Sequence, residues 1–155
     1  MYSREIKERL QSMTIEEKAR LCAGKDFWQT WGDEESGIPP MLMTDGPSGL
    51  RKQTEATDHL GLNESNTAVC FPAGCALASS FDPDLAEAVG TEIGKLARAE
   101  NVGVVLGPSI NIKRSPLCGR SFEYYSEDPY VSGKIAVGFI KGIQNQGVGA
   151  SPKHF

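Results

Sequence analysis

Hydrophobic residues recur at helical spacing in two segments of the chain. The first set is Leu85, Val89, Ile93 and Leu96, and the second is Val131, Ile135, Phe139 and Ile143. An Asp-Pro pair precedes each set, at 82–83 and 128–129, and suits the N-cap and first position of a helix. The pattern predicts two amphipathic helices, one that begins at 83 and ends near 101–103, and one over 130–146 with Gly147 as its stop.

Short apolar runs alternate with these helices. They comprise Met41–Thr44, Cys75–Ala78, Val102–Leu106 and Val148–Ser151. Runs of this length, bounded by turn residues, are typical of buried strands. Strands that alternate with helices predict parallel β/α units with right-handed crossovers. We therefore expect an α/β protein with about three or four strands, roughly the first half of a TIM-type (β/α) barrel of eight.

The N-terminal segment predicts a pair of structural helices. Ile6 and Leu10 lie four apart within Ser3–Ser12, which is typical of a short amphipathic helix. Thr14 and Glu17 then form a capping-box pattern, in which each side chain accepts a hydrogen bond from the backbone of the other.

The composition and charge of the chain argue against several classes of function. The chain has 155 residues, 39% hydrophobic and 23% charged, with a net charge of −4, which fits a globular protein and gives no electrostatic case for nucleic acid. No nucleotide-binding motif is present. Four cysteines without a Cys-x-x-Cys pair and only two histidines predict no metal site, and we expect no cofactor. Without a secretory signal or a membrane-length apolar run, we expect a cytoplasmic protein with reduced thiols and no membrane contact.

The connection from Gly107 to Pro129 is the strongest candidate for function. It exceeds twenty residues, whereas a plain connection between strand and helix has about 2–6. Polar residues follow the predicted strand ends, namely Asp45, Arg51, Arg120, Glu123, Lys153 and His154. Ligand sites of parallel α/β proteins lie at these ends, and this mixture of donors and acceptors suits a polyhydroxylated ligand.

Each of these signals has a structural alternative. Asp45 could cap its own backbone in an Asx turn, and Lys153 with His154 could belong to a frayed terminus. Trp28 and Trp31 could stack on a sugar, although packing is the commoner fate of such aromatic residues and is the interpretation we favour.

Several motifs in order carry a family resemblance. They are Met13–Lys18, Asp45–Arg51, Leu106–Pro108 with Asn111–Ile112, Gly119–Tyr124, Ser126–Tyr130 and Lys153–Phe155. In this order they resemble glycoside hydrolase family three, which includes β-glucosidases, β-xylosidases and N-acetylglucosaminidases. Ser121 departs from the asparagine common in the family.

The resemblance implies roles residue by residue. Asp45 matches an aspartate that accepts hydrogen bonds from hydroxyls of the terminal sugar, and Arg51 a basic residue near that pocket. Arg120 matches an arginine that binds the same sugar. Lys153 and His154 match an adjacent pair that donates to sugar hydroxyls. Glu123 and Glu127 are implied to make structural hydrogen bonds.

The implied reaction is hydrolysis of O-glycosyl bonds by a retaining, exo-acting β-glycosidase of carbohydrate metabolism, most often a β-glucosidase. The family's nucleophile and acid/base belong to later parts of the sequence, so no catalytic residue is assigned here. Residues 1–155 are expected to be the N-terminal portion of the catalytic barrel, inactive alone, with a β-linked glucoside as ligand. The alternative is a non-catalytic sugar-binding or partner-binding half-barrel that associates with the missing remainder or with itself.

Overall fold

A computed structural model of the chain describes residues 3–53 and 63–154. In chain order the elements are helices α1 (Arg4–Ser12) and α2 (Ile15–Leu21), strand β1 (Met43–Asp45), helices α3 (Gly74–Ala78) and α4 (Pro83–Ala99), strand β2 (Val104–Leu106), helix α5 (Pro129–Gln144) and strand β3 (Gly149–Ala150). One turn of 3-10 helix, Ser121–Glu123, interrupts the long connection between β2 and α5. The predicted α/β class is confirmed.

The strands form one parallel sheet in the order β1-β2-β3. Met43 lies opposite Val104, and Val105 lies opposite Ala150. The parallel pairing agrees with the predicted β/α alternation. Each strand is shorter than its apolar run, and β1 begins two residues later than predicted and extends to Asp45.

The prediction of a strand at Cys75–Ala78 is wrong, because these residues lie in helix α3. Alanine and leucine favour a helix, and four apolar residues are too few for periodicity to distinguish the two structures. Gly74 also allows α3 to lie against the long connection, since a Cβ there would be 2.1 Å from the Glu123 carbonyl oxygen.

The predicted helix starts are confirmed. The Asp82 carboxylate accepts from the N–H groups of Asp84 and Leu85 at 2.9 and 3.0 Å, and that of Asp128 accepts from Tyr130 at 2.8 Å. At the start of α2, both hydrogen bonds of the Thr14–Glu17 capping box are present. These caps satisfy N–H groups that the first turn of a helix leaves without partners.

Helices α4 and α5 pack against each other and form most of the core. A Cβ on Gly90 of α4 would be 2.2 Å from the Phe139 carbonyl oxygen, so the two backbones are close enough to exclude any larger residue. The predicted buried face of α5 is nearly correct, since Ile135, Phe139 and Ile143 are at most 1% exposed. On α4, Ile93 is fully buried as predicted and Val89 and Leu96 are half-buried against the core, whereas Leu85 is 45% exposed. The other buried residues of this helix are small, namely Ala86, Gly90, Gly94 and Ala97.

None of the helices in residues 3–53 and 63–154 has both the length and the hydrophobicity needed to cross a bilayer. The four cysteines are free, and Cys22, Cys70 and Cys118 are exposed.

Candidate functional site

The carboxyl ends of all three strands meet at one edge of the sheet, because the strands are parallel. Asp45 ends β1 and lies opposite Leu106, which ends β2. Beyond β2 and β3 the chain continues to pair: the Ile110 N–H donates to the Lys153 carbonyl at 2.7 Å, and the Lys153 N–H donates to the Pro108 carbonyl at 2.9 Å. This main-chain pairing places the segment after β3 beside the start of the long connection.

Asp45 and Lys153 form an ion pair across the strand ends. The Lys153 Nζ is 2.5 Å from the Asp45 Oδ1, and the side chains are 18% and 34% exposed respectively. The loop after Asp45 returns at once, since the Arg51 N–H donates to the Asp45 carbonyl at 2.9 Å. Gly49 permits this turn with φ at 126°, and a Cβ there would be 2.3 Å from the Val69 carbonyl oxygen.

The carboxylate of Glu123 fixes the position of the Arg120 guanidinium. The Arg120 Nε donates to Glu123 Oε1, while the fully buried Ser109 hydroxyl donates to Oε2 of the same carboxylate at 2.8 Å. Burial alone would raise the pKa of Glu123, but hydrogen bonds from Arg120 and Ser109, with the Arg120 and Lys153 charges, hold it below its ordinary value. The hydrogen bond to Glu123 raises the pKa of Arg120. The pair therefore stays charged and fixed in orientation.

His154 lies between the arginine and an asparagine. Its Nε2 is 2.7 Å from the Arg120 Nη2, and its Nδ1 is 3.2 Å from the Asn111 Oδ1. The Tyr124 ring is edge-on to the imidazole, with centroids 6.1 Å apart. Burial, and then the charges of Arg120 and Lys153, lower the pKa of His154 below 6.5, so the ring is neutral at neutral pH.

These contacts join residues from three strand ends into one group, which we name the strand-end cluster: Asp45, Ser109, Asn111, Arg120, Glu123, Lys153 and His154. Its chemistry is mixed, since carboxylates accept and cationic groups donate. Arg120 remains 55% exposed at the side chain, and Asp45 34%. Groups that are ordered by partners yet open to solvent can exchange those contacts for hydroxyl groups of a ligand.

Four of the five residues predicted to bind substrate are therefore brought together, namely Asp45, Arg120, Lys153 and His154. Arg51 is exposed and is joined to the cluster by its main-chain hydrogen bond to Asp45. Glu123 makes the structural hydrogen bonds implied for it. Glu127 is exposed, and within the described part of the chain its carboxylate has neither a hydrogen bond nor an ion pair.

Ser109 and Asn111 are cluster residues that the sequence analysis does not assign a role. Both follow β2 closely, and Asn111 belongs to one of the motifs that carry the family resemblance. Their position just beyond a buried strand is the available signal, because that is where parallel α/β folds place ligand groups.

The tryptophans lie elsewhere. The Trp28 Nε1 donates to Gln53 Oε1 at 2.8 Å, and the Arg20 guanidinium lies 5.4 Å from the centre of the Trp31 ring. Trp31 also lines a shallow cavity with Asn101 and Gly103, which precede β2. That cavity is at the opposite edge of the sheet from the strand-end cluster.

No group of three or more histidine, cysteine, aspartate or glutamate residues in the described ranges is arranged to hold a metal ion. In the strand-end cluster, the carboxylates of Asp45 and Glu123 are paired with the cationic groups of Lys153 and Arg120.

Comparison with known proteins places the chain among glycosidases. The family model described as glycosyl hydrolase family 3 N terminal domain matches residues 25–155. A thermostable β-glucosidase B from Acetivibrio thermocellus is 56% identical over 151 residues, which is 97% of this chain and 20% of that protein. An exo-α-(1→6)-L-arabinopyranosidase from Bifidobacterium longum is 47% identical over 147 residues, which is 94% of this chain and 19% of that protein.

A solved structure agrees with this result. β-Glucosidase 3B from Thermotoga neapolitana in complex with glucose has a TM-score of 0.87 and 39% identity, and the match covers 97% of this chain and 23% of that structure. The chain thus spans about a fifth of the length of the curated relatives it matches.

Proposed function

Because the chain belongs to glycosyl hydrolase family 3, we propose that it forms the sugar-recognition part of a retaining, exo-acting β-glycosidase of the β-glucosidase type. The strand-end cluster is the proposed site. The single observation that carries the proposal is that side chains from three strand ends contact one another and stay partly open to solvent.

In this proposal the cluster binds one pyranose at the non-reducing end of the substrate. Asp45 accepts hydrogen bonds from sugar hydroxyls, while Lys153 and Arg120 donate to them. Hydrogen bonds with a charged partner are about twice as strong as neutral ones, which favours these groups as anchors. Arg51 is proposed to flank the same pocket, since its main chain is bonded to Asp45.

The chain is proposed to supply recognition without covalent chemistry. A retaining glycosidase needs two carboxyl groups about 5–5.5 Å apart, one nucleophile and one general acid/base. Glu123 is occupied by Arg120 and Ser109 and is only 9% exposed, and Asp45 is paired with Lys153. Neither carboxylate is placed as a free nucleophile.

The fold is proposed to be the first part of a (β/α) barrel. Three parallel strands alternate with α4 and α5, and β3 has a strand neighbour only on its β2 side among the described residues. A closed barrel pairs every strand on both sides, so in this proposal a further strand would pair with the free side of β3. The cytoplasmic location stays a prediction, consistent with free cysteines.

The relatives' names support a glucoside as the first substrate to test. Two of the three proteins compared above are β-glucosidases, one of them with glucose bound, and the third is named for an arabinopyranoside. Glucose and arabinopyranose both form a six-membered ring, so we infer that such a ring is the feature that the site would recognise.

Glucose titration by NMR tests the recognition role. We expect saturable shifts at the amides of Lys153 and His154, and about a tenfold or larger loss of affinity in Asp45→Asn, because a charged acceptor is removed. Asp26→Asn is the matched control, since Asp26 caps an exposed turn at the N–H of Trp28. Equal affinity in Asp45→Asn, or shifts confined to residues around Trp31, would contradict the proposal.

Turnover tests the absence of covalent chemistry. The 155-residue chain is expected to leave an aryl β-glucoside intact, and robust hydrolysis would contradict the proposal. Among the residues that the structure describes, β3 pairs with a strand on one side only, which favours the half-barrel alternative. It predicts a dimer in sedimentation, whereas a soluble monomer that binds glucose would argue against self-association.

A further inference from the structure

Asn111 contacts His154 at three places. Its Oδ1 accepts from the His154 main-chain N–H at 2.7 Å, and its Nδ2 donates to the His154 carbonyl at 3.2 Å. An amide makes both main-chain contacts in only one orientation, because its oxygen only accepts and its nitrogen only donates. The orientation of the Asn111 amide is therefore set by the backbone, independently of the imidazole ring.

Arg120 determines the protonation of the other ring nitrogen of His154, Nε2. A guanidinium group only donates, so the His154 Nε2 at 2.7 Å from Arg120 Nη2 must present a lone pair. A neutral imidazole carries one proton, which then lies on Nδ1. That nitrogen is 3.2 Å from Asn111 Oδ1, an acceptor. Two neighbours on opposite sides of the ring thus require the same tautomer.

Protonation of both nitrogens would place an N–H of His154 against the guanidinium. The groups around the ring are the cations Arg120 and Lys153, the anions Asp45 and Glu123, and the amide of Asn111. Burial and the two cations disfavour the charged ring, in agreement with the geometry.

We propose that Asn111 is a positioning residue that holds the His154 ring with its proton on Nδ1, so that Nε2 acts only as an acceptor within the strand-end cluster. His154 then orients the Arg120 guanidinium, which Glu123 fixes from the other side. Nε2 has one lone pair, which accepts from Arg120; a sugar hydroxyl that takes the place of that contact would donate to Nε2 rather than accept from it, which reverses the role implied for His154 by the family resemblance. This last step rests on the proposed function, whereas the tautomer does not.

NMR of the imidazole nitrogens tests the tautomer directly. The chain contains two histidines, His59 and His154, so His59→Gln leaves a single imidazole to observe after labelling with ¹⁵N-histidine. At neutral pH we expect one neutral ring with the proton on Nδ1. A proton on Nε2, or a rapidly exchanging mixture of the two tautomers, would overturn the inference.

Variants at Asn111 test whether this residue positions the His154 ring. Asn111→Leu keeps the size but removes the acceptor that orients the ring, so the imidazole can turn away from Arg120, and we expect the Nδ1-protonated fraction to fall. Asn111→Asp keeps an acceptor at Oδ, so Nδ1 stays protonated while the titration midpoint of His154 rises, because a carboxylate favours the charged ring. Asn145→Leu, at an exposed asparagine that ends α5, is the control and should change neither result.

These measurements distinguish the role of Asn111 from the proposed binding of sugar. If Asn111→Leu retains a full Nδ1 proton, with a native backbone amide spectrum, Asn111 does not position the ring. If that variant does not fold, Asn111→Asp decides, and an unchanged His154 midpoint contradicts the inference. Absence of glucose binding in a chain that shows the expected tautomer would refute the proposed function but leave the role of Asn111 intact.

Discussion

The interface between α4 and α5 and the strand-end cluster are held together by opposite means. Between the helices, small and aliphatic residues let the backbones approach until no Cβ would fit at Gly90. In the cluster, the backbone of Lys153 and charged side chains such as Arg120 are fixed by hydrogen bonds, with more than half of the Arg120 side chain exposed. The helix interface depends on the volume of its side chains, whereas the strand-end cluster depends on the pairing of hydrogen-bond donors with acceptors.

The difference shows why polar side chains can be ordered without being buried. A charged side chain in the helix interface would lose its hydration without gaining a partner. At the strand ends, partners and solvent are both available, so Asp45 and Lys153 can pair with each other and still stay partly exposed. Changes of volume should therefore damage the helix interface most, and changes of hydrogen-bonding capacity should damage the cluster.

The largest effect is expected from Phe139→Ala. Phe139 is fully buried between α4 and α5, and truncating such a side chain costs about 3–5 kcal/mol of stability. Val137→Ala is the control on the same helix, because Val137 is 50% exposed. Urea denaturation measures both. Similar losses for the two variants would show that burial in this interface does not dominate stability.

Two glycines of α5 provide a sharper test, with effects of opposite sign. A Cβ on Gly138 would be 2.3 Å from the Pro83 carbonyl oxygen, so Gly138→Ala should cost about 1–3 kcal/mol. A Cβ on Gly133 would meet no atom within 4 Å, and Gly133→Ala should stabilise the chain by up to about 1 kcal/mol through helix propensity. Stabilisation by both substitutions would contradict the close packing of the helices.

Within the cluster, Glu123→Gln keeps the size but removes the charge. The variant weakens the hydrogen bonds from Arg120 and Ser109, and we expect a loss of about 1–3 kcal/mol. Glu127→Gln, at an exposed glutamate of the same loop, should change stability by no more than about 0.5 kcal/mol. Equal effects in thermal or urea unfolding would show that the buried carboxylate is not a support of the cluster.

Acidification should weaken the cluster in two steps. The folded pKa of His154 lies below 6.5, so the unfolded chain takes up that proton first and the free energy of unfolding falls as the pH drops below 6.5. Glu123, whose folded pKa lies below 4.5, adds a further fall below that pH. Urea midpoints against pH should lose the upper step in His154→Gln but not in His59→Gln. Parallel curves for the two variants would contradict the first step.

The sequence predicts the helix interface well where a long period is available. Three of four predicted positions on α5 are fully buried, because large aliphatic and aromatic residues define that face. On α4 the sequence identifies Ile93 but misses the buried glycines and alanines, since these residues carry little hydrophobic signal although they allow the closest contact. Cys75–Ala78 is too short for its period to be determined, and the predicted strand is a helix.

The sequence predicts most of the residues of the strand-end cluster, but not the contacts between them. Asp45, Arg120, Lys153 and His154 are identified from strand ends and from the family resemblance. Their partners depend on how the segments after β2 and β3 pair, which no local pattern encodes. Ser109 is a small polar residue of a kind common on surfaces, and only the fold shows that it is fully buried against Glu123.

The central claim is that the strand-end cluster forms one pyranose site, and a crystal structure of the protein soaked with glucose tests it most directly. We predict a single sugar in contact with Asp45, Lys153 and Arg120, with Glu123 still bonded to the arginine. Glucose bound instead beside Trp31, with the strand-end cluster unchanged and without ligand, would contradict the account.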